Sequence, residues 1–185
     1  MQTYSLRRSA VDPEFLEIIS EDVVIQEVRV PYAIRLPASF SSLDEVFACL
    51  EEMERKLTKA AAYRLLARRS YSKMRLFQKL REKKFSEEQC RKVIEEIEQL
   101  GYLSDADFGE MAIRQKMAQG YGPQYIEQYL RTLGLDPRLA RQVMDEEKQK
   151  ESLQKWALKL RGKEGSKRIA FLLRRGFDFR FIQCM

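Results

Sequence analysis

The sequence predicts a mainly α-helical protein with three tandem three-helix repeat units, preceded by a small N-terminal β element and a long linking helix. The first observation is a short amphipathic segment that occurs three times, at 71–85, 121–135 and 165–177. Each copy spaces apolar residues three and four positions apart and ends in a turn followed by an apolar residue. The turns are 50 and then 42 residues apart, which is typical of helical repeats. The second observation is a regular series of helix-capping and helix-stopping residues between the copies.

Each copy is predicted to form one helix of its unit, with its apolar residues facing the core. Residues three and four apart lie on the same side of a helix, so these side chains form one apolar stripe. The expected core residues are, copy by copy, Leu76, Phe77 and Leu80, then Ile126, Leu130 and Leu133, then Ile169, Leu172 and Leu173.

Residues 1–41 are predicted to form a small β cap. From Val28 to Leu36 apolar residues alternate with others, the period of a half-buried strand. Pro31 interrupts this pattern, which indicates an edge strand or two short strands of a hairpin. Residues 22–28 are the candidate partner strand.

A linking helix is predicted over 42–59. Ser42 and Glu45 have the spacing of a capping box, and acidic residues suit the start of a helix. Apolar residues then recur with heptad-like spacing. The seam is too short for a coiled-coil dimer, so we expect the helix to pack on its own chain and the protein to be a monomer.

The first three-helix unit is predicted over 60–102. One helix ends near Arg69, the first amphipathic copy covers about 72–83, and a third helix begins after the N-cap Ser86. Gly101 is expected to stop this third helix, since glycine adopts the left-handed conformation at low cost.

The second unit is predicted over 103–150. Its first helix begins at Ser104 and breaks at Gly120, and its second helix has Pro123 in the first turn. Its third helix is expected to follow Asp136, as N-cap.

The third unit is predicted over 151–185. It has helices near 152–161 and 166–175, and a final helix capped by Asp178. As a terminal repeat it has a neighbour on one side only, so we expect it to open more easily than the middle unit.

Composition argues against an enzyme and against a cofactor or metal site. The chain has no histidine, which removes the commonest general base and every histidine-containing zinc site. Its glycines form no phosphate-binding loop. Three cysteines have no metal-ligand spacing and suit a reducing cytosol. No apolar run approaches the roughly 18 residues of a membrane span, and no secretion signal is evident, so we expect a cytoplasmic protein with no membrane partner.

Charge is distributed in blocks. Residues 1–54 carry 4 Lys or Arg and 11 Asp or Glu, and 85–150 carry 9 and 13. Residues 55–84 carry 12 and 1, and 151–185 carry 9 and 3. Two basic blocks therefore alternate with acidic ones. This pattern favours a polyanion or an acidic protein groove as partner, although solvated helix faces are the alternative for any single residue.

The candidate partner-facing residues are cations of the two basic blocks. They are Arg68, Arg69, Arg75, Lys79, Arg81, Lys155, Lys159, Lys167, Arg174 and Arg175. On a helical wheel Arg75, Lys79 and Arg81 lie outward or beside the apolar stripe, and Lys167 and Arg174 point away from it. Among the aromatic residues, Tyr121 is the candidate for stacking on a base, and a hydrophobic staple is the alternative reading.

Several of these motifs resemble one known family. The basic helix–turn–helix of the first unit is followed by Leu-Gly-Tyr-Leu-Ser-Asp-x-x-Phe at 100–108 and Gly-Tyr-Gly-Pro at 120–123, and Arg-Arg-Gly-Phe follows at 174–177. Over roughly 55–185 the chain resembles the bacterial RecX family, regulators of the RecA recombinase. One departure is Lys84, where such proteins usually have glycine. The segment 1–54 is not matched.

The resemblance implies a function without catalysis. Members of this family consist of tandem three-helix modules and bind along the groove of the RecA–DNA filament. There they restrain its ATPase, strand-exchange and co-protease activities, and so modulate DNA repair, recombination and the SOS response. The expected partners are the RecA filament and, through it or weakly by direct contact, single- or double-stranded DNA. The alternatives are a helical-repeat DNA- or RNA-binding module independent of RecA, and a protein scaffold.

Overall fold

The computed structural model describes residues 3–31, 39–162 and 164–183, and it confirms the predicted fold class. A three-stranded N-terminal sheet precedes a series of helices. The strands are β1 Tyr4–Arg8, β2 Phe15–Ser20 and β3 Val23–Arg29. The helices are α1 Leu43–Leu66, α2 Lys73–Glu82, α3 Glu87–Gln99, α4 Asp105–Ala118, α5 Pro123–Thr132, α6 Leu139–Val143, α7 Glu146–Lys159, α8 Gly165–Arg174 and α9 Phe179–Gln183.

The chain divides into two compact units. The first comprises Met1–Arg69 and Leu76–Leu100, and the second comprises Ser70–Arg75 and Gly101–Met185.

The sheet is antiparallel with strand order β1-β2-β3. Leu16 and Ile18 of β2 are fully buried and cluster with Val46 and Leu50 of α1, so the sheet packs its central strand on the first half of that helix. The sheet is held to α1 by apolar contact as well as by chain connection.

The predicted strand from Val28 to Leu36 is only partly described. Val28 and Arg29 belong to β3, whose partner is β2, and residues 32–38 lie outside the described residues. Residues 23–29 form the single strand β3, and the predicted pairing of 22–28 with a following strand falls on residues outside the described ranges. The strands β1 and β2 were not predicted: in β1 the alternation of Tyr4 and Leu6 with polar residues is only four residues long, and β2 places apolar residues side by side, as at Ile18 and Ile19.

The predicted linking helix and the first helix of the first unit are one continuous helix. α1 begins as predicted, since the Ser42 hydroxyl accepts a hydrogen bond from the Glu45 backbone N–H at 3.2 Å. The reciprocal contact is shifted by one residue, because the Glu45 carboxylate accepts from Ser41 instead. That bonding lowers the pKa of Glu45.

The helix ends of the first unit follow the predicted punctuation. Lys84 has a φ of 68° and makes the left-handed stop after α2 that glycine makes in the later copies. The Ser86 hydroxyl accepts from the Gln89 N–H at 3.3 Å and caps α3, and Gly101 follows α3 with a φ of 77°.

Two helix starts differ from prediction. The Asp136 carboxylate caps a turn by accepting from the Arg138 N–H at 2.9 Å, and α6 starts only at Leu139. α7 starts at Glu146 rather than near 152, because Asp145 caps it by accepting from the Lys148 N–H at 2.9 Å. Asp145 is a standard N-cap residue, so the signal was present in the sequence.

The second compact unit has one hydrophobic core that joins α4–α6 to α7–α9. Its buried residues come from both halves, including Ile113, Ile126 and Leu130 from the first and Leu172 and Phe177 from the second. Residues 151–185 therefore share a core with residues 103–150, which does not favour the easier opening expected of a terminal repeat.

Candidate functional site

In the first compact unit, many cations of the basic block are paired with carboxylates of their own chain. Glu52 accepts from Arg55 at 3.0 Å, which lowers the pKa of Glu52 and raises that of Arg55. Lys59 pairs with Glu96, and Lys84 pairs with Glu14. The surplus of charge in the sequence therefore overstates the charge that is available to a partner.

The candidates on this block differ in what they contact. Lys79 pairs with Glu82 at 2.5 Å, and the Arg81 guanidinium donates to the Phe85 carbonyl. Arg68 is exposed and forms no ion pair within the described part of the chain, while Arg69 is also exposed. Among these candidates Arg68 is thus the exposed cation that we test first for contact with a partner.

Arg75 is exposed as predicted, and the stripe of α2 behaves as predicted. Leu76 and Leu80 are fully buried, and Phe77 is half-buried. The predicted orientation of the cations on this helix agrees with the structure: Arg75 is exposed, and Lys79 flanks the stripe and is half-buried.

In the second compact unit, the cations of the C-terminal block are exposed on α7 and α8. Lys167 pairs with Glu164 at 3.1 Å, and the Lys159 ammonium lies 5.2 Å from the Trp156 ring centre. Lys155 and Arg174 are exposed and make no ion pair with any residue that the structure describes. These two are the free cations among the candidates of this block.

Arg175, the tenth candidate, lies against rings of its own chain. Its guanidinium is 4.2 Å from the Trp156 ring centre, 4.9 Å from that of Tyr121 and 5.1 Å from that of Phe171. It also donates to the Gln119 carbonyl at 2.6 Å. Cation–π contacts and a charge-assisted hydrogen bond give Arg175 a structural role, so it is a weaker candidate for partner contact than its neighbour Arg174.

The two turns that carry the Gly-Tyr-Gly-Pro and Arg-Arg-Gly-Phe motifs touch each other. The Gly122 N–H donates to the Arg175 carbonyl at 2.7 Å, and the Gln124 N–H donates to the Gly176 carbonyl at 3.0 Å. A Cβ atom on Gly122 would overlap the Gly176 carbonyl, and one on Gly176 would overlap the Tyr125 backbone. Both glycines are required by this close approach, which we call the glycine interlock.

Trp156 packs against the same region, a contact that the sequence did not predict. Its indole N–H donates to the Gly120 carbonyl at 3.1 Å, and a Cβ atom on Gly120 would overlap the indole. A lone tryptophan three residues before the end of α7 gives no local sign of such a contact.

Tyr121 is half-buried and already stacked. Its ring lies 3.9 Å from the Tyr125 ring, at an interplanar angle of 16°, and the Lys116 ammonium lies 5.5 Å from its centre. It packs against the core of the second unit. This arrangement favours the packing alternative over a base-stacking platform.

Two kinds of site are absent from the described residues. No group of three or more His, Cys, Asp or Glu side chains there could hold a metal ion. None of the described helices is long and apolar enough to cross a membrane.

Known proteins share this arrangement of helices. A model described as "RecX, first three-helix domain" matches residues 58–96, and one described as "RecX, second three-helix domain" matches residues 104–144. A protein of Legionella pneumophila (strain Corby) named "Regulatory protein RecX" is 41% identical over 133 residues, which span 66% of this chain and 89% of that protein. The chain belongs to the RecX family. A further relative of that name, from Chromohalobacter salexigens, is 32% identical over 126 residues, or 64% of this chain and 83% of its own length.

Solved RecX structures have the same fold. One described as "Crystal structure of regulatory protein RecX" covers 99% of this chain and 98% of its own, with a TM-score of 0.69 at 17% identity. RecX from Lactobacillus salivarius covers 71% of this chain and 93% of its own, with a TM-score of 0.62 at 21% identity. The two RecX domain models correspond to the end of α1 with α2 and α3, and to α4–α6.

Proposed function

We propose that this RecX family member is a non-enzymatic regulator of RecA that binds in the groove of the RecA–DNA filament and restrains its ATPase, strand-exchange and co-protease activities. The observation that supports this most is the family membership, since the relatives are named regulatory proteins. The exposed cations add a physical means of binding an anionic groove.

The free cations are the first residues to test as phosphate contacts. A cation already paired within the chain must exchange one carboxylate for another anion, so it gains little on binding. Arg68, Lys155 and Arg174 have no such partner among the residues that the structure describes. When such cations bind phosphates, counterions are released from the nucleic acid, which favours association. The affinity therefore falls as the salt concentration rises.

The acidic N-terminal segment suits a protein surface better than DNA. Residues 1–54 carry 11 Asp or Glu against 4 Lys or Arg, and phosphates would repel them. A groove lined by both protein subunits and DNA offers a surface for each kind of block, which a bare nucleic acid does not.

The test is ATP hydrolysis by RecA on single-stranded DNA with sub-stoichiometric amounts of this protein. We expect hydrolysis to fall, because a bound regulator that bridges filament subunits restrains their turnover. Hydrolysis and filament length that both stay unchanged with an equimolar excess would overturn the proposal.

The alternative, a DNA- or RNA-binding module independent of RecA, is favoured by the same free cations. On naked single-stranded DNA it predicts that log affinity falls with log salt by about 0.7 per neutralised phosphate. Replacing Arg68, Lys155 and Arg174 together with glutamine should flatten this slope. Strong binding to naked DNA with no effect on RecA would select the alternative.

A further inference from the structure

The three amphipathic copies can be placed in a common register from their backbone bonds. The turn residue of each copy donates its N–H to the carbonyl three residues earlier: Lys84 to Arg81 at 2.9 Å, Gly134 to Arg131 at 3.1 Å and Gly176 to Leu173 at 2.9 Å. All three turn residues have positive φ values of 68°, 73° and 81°.

The buried position four residues before the turn confirms this register. It is occupied by Leu80, Leu130 and Leu172, which are 0%, 0% and 2% exposed. The three helices therefore present the same side to their cores at this point.

One outward position of the third copy is apolar where the other two copies are polar. Three residues before the turn, α2 and α5 have the exposed Arg81 and Arg131, but α8 has Leu173, which is 42% exposed. One helical turn earlier, Ile169 is 38% exposed, whereas the equivalent residues of the other copies, Phe77 and Glu127, are half-buried. The prediction that Ile169 and Leu173 face the core was wrong, because only Leu172 of the three occupies the buried position. Their apolar side chains lie on an outward stripe instead.

A second position, which is apolar and buried in the first two copies, is charged and exposed in the third. Eight residues before the turn, Leu76 and Ile126 are fully buried, but the equivalent residue is Arg168, which is exposed. Every described residue from 164 to 170 is exposed. The first part of α8 is thus less buried than the first parts of α2 and α5.

We call Ile169 and Leu173 the α8 stripe. The two side chains are four residues apart and so lie one above the other on the helix. Arg168 and Arg174 stand beside it, and neither makes an ion pair with a residue in the described ranges. The surface is therefore apolar at its centre and cationic at its edges.

We propose that the α8 stripe docks on a protein segment that offers apolar side chains flanked by carboxylates. The charge complementarity of the two arginines selects an acidic partner, and the exposed Ile and Leu select apolar contact. A nucleic acid would match the arginines but would leave the two aliphatic side chains without apolar contact. This inference rests on the proposed function and assigns the stripe to the recombinase subunits of the filament, not to its DNA.

The test uses the full chain with I169Q/L173Q, which removes apolar surface without lowering helix propensity. The matched control is L158Q on α7, because Leu158 is 63% exposed and lies outside the stripe. Circular dichroism and the fluorescence of Trp156 verify that each variant is folded. Binding is measured on the RecA–DNA filament and on naked single-stranded DNA.

We expect I169Q/L173Q to bind the filament about tenfold more weakly, since each aliphatic side chain loses part of its burial. Affinity for naked DNA should change less than twofold, and L158Q should bind as the parent does. R168Q/R174Q should also weaken filament binding, more strongly at low salt.

Each other outcome has a defined meaning. Unchanged filament binding by I169Q/L173Q would overturn the assignment, and so would an equal loss on naked DNA, which would place the stripe on nucleic acid. If the parent protein does not bind the filament at all, the proposed function fails and this inference fails with it.

Discussion

Replacing Gly176 with alanine tests the glycine interlock. Gly176 has a φ of 81°, in the region where an L-residue costs about 1–2 kcal/mol. The added Cβ would also overlap the Tyr125 backbone. Because backbone atoms cannot rotate away as a side chain can, the two turns must separate.

Separation removes the two backbone hydrogen bonds of the interlock, from Gly122 to Arg175 and from Gln124 to Gly176. Each contributes about 1 kcal/mol net. Together with the conformational term, G176A should lower the free energy of unfolding of the second compact unit by about 3–4 kcal/mol.

The matched control is Gly162→Ala. Gly162 has a φ of 89°, but a Cβ atom there would have nothing within 4 Å. G162A therefore reports the conformational cost alone, about 1–2 kcal/mol. Urea unfolding is followed through Trp156, the single tryptophan of the chain, which lies in the same unit. If the two variants differ by less than about 0.5 kcal/mol, the close approach does not exist in solution.

Three further predictions concern the first compact unit. Glu21 and Asp22 both have positive φ in the β2–β3 turn, so E21N/D22G should raise its free energy of unfolding by about 1 kcal/mol, as measured by urea titration. Arg7 holds the pKa of the Glu17 carboxyl below its usual 4.5. The stability that this ion pair supplies is present above pH 4.5 and is lost as pH falls through the lower folded pKa. In an acid titration, E17Q should therefore lose less free energy of unfolding than the parent. Burial raises the pKa of the Cys90 thiol to about 11, so iodoacetamide at pH 8 should label it, by peptide mass, only after unfolding.

The helix boundaries were predictable where a short-range signal sets them. Ser42, Ser86 and Ser104 cap helices as their spacing indicated, and each accepts a hydrogen bond from the N–H three residues on. A cap needs only its own neighbours, so one sequence is enough to find it. There are two exceptions. Asp136 has the right residue type but caps a turn first, and Asp145 caps α7 although its local signal was not used in the prediction.

Long-range contacts were not predictable. The sequence singled out both glycine motifs, yet nothing within either one indicates that Gly122 meets Gly176. Arg175 has the same local signature as Arg174, and only the fold decides which of them lies on Trp156. The sequence therefore predicts which basic blocks contain the candidate site, but not which cations within them are available to a partner.

The shared core also changes how the C-terminal residues can be studied. Deleting 151–185 would remove Leu153, Leu172 and Phe177 from the cluster that contains Ile113 and Leu130. We therefore expect such a truncation to unfold the second compact unit, so that a lost activity would say nothing about binding. Single substitutions on α8 avoid this difficulty.

The continuity of α1 has a mechanical consequence. At about 1.5 Å per residue, its 24 residues make a rod of about 36 Å. The sheet packs on Val46 and Leu50, while Arg55 and Lys59 pair with Glu96 of α3 farther along. The rod thus fixes both the spacing and the rotational phase of the sheet relative to α3. One residue inserted between the two contact regions would turn the sheet by about 100°, whereas seven inserted residues would nearly restore its phase about 10 Å farther away.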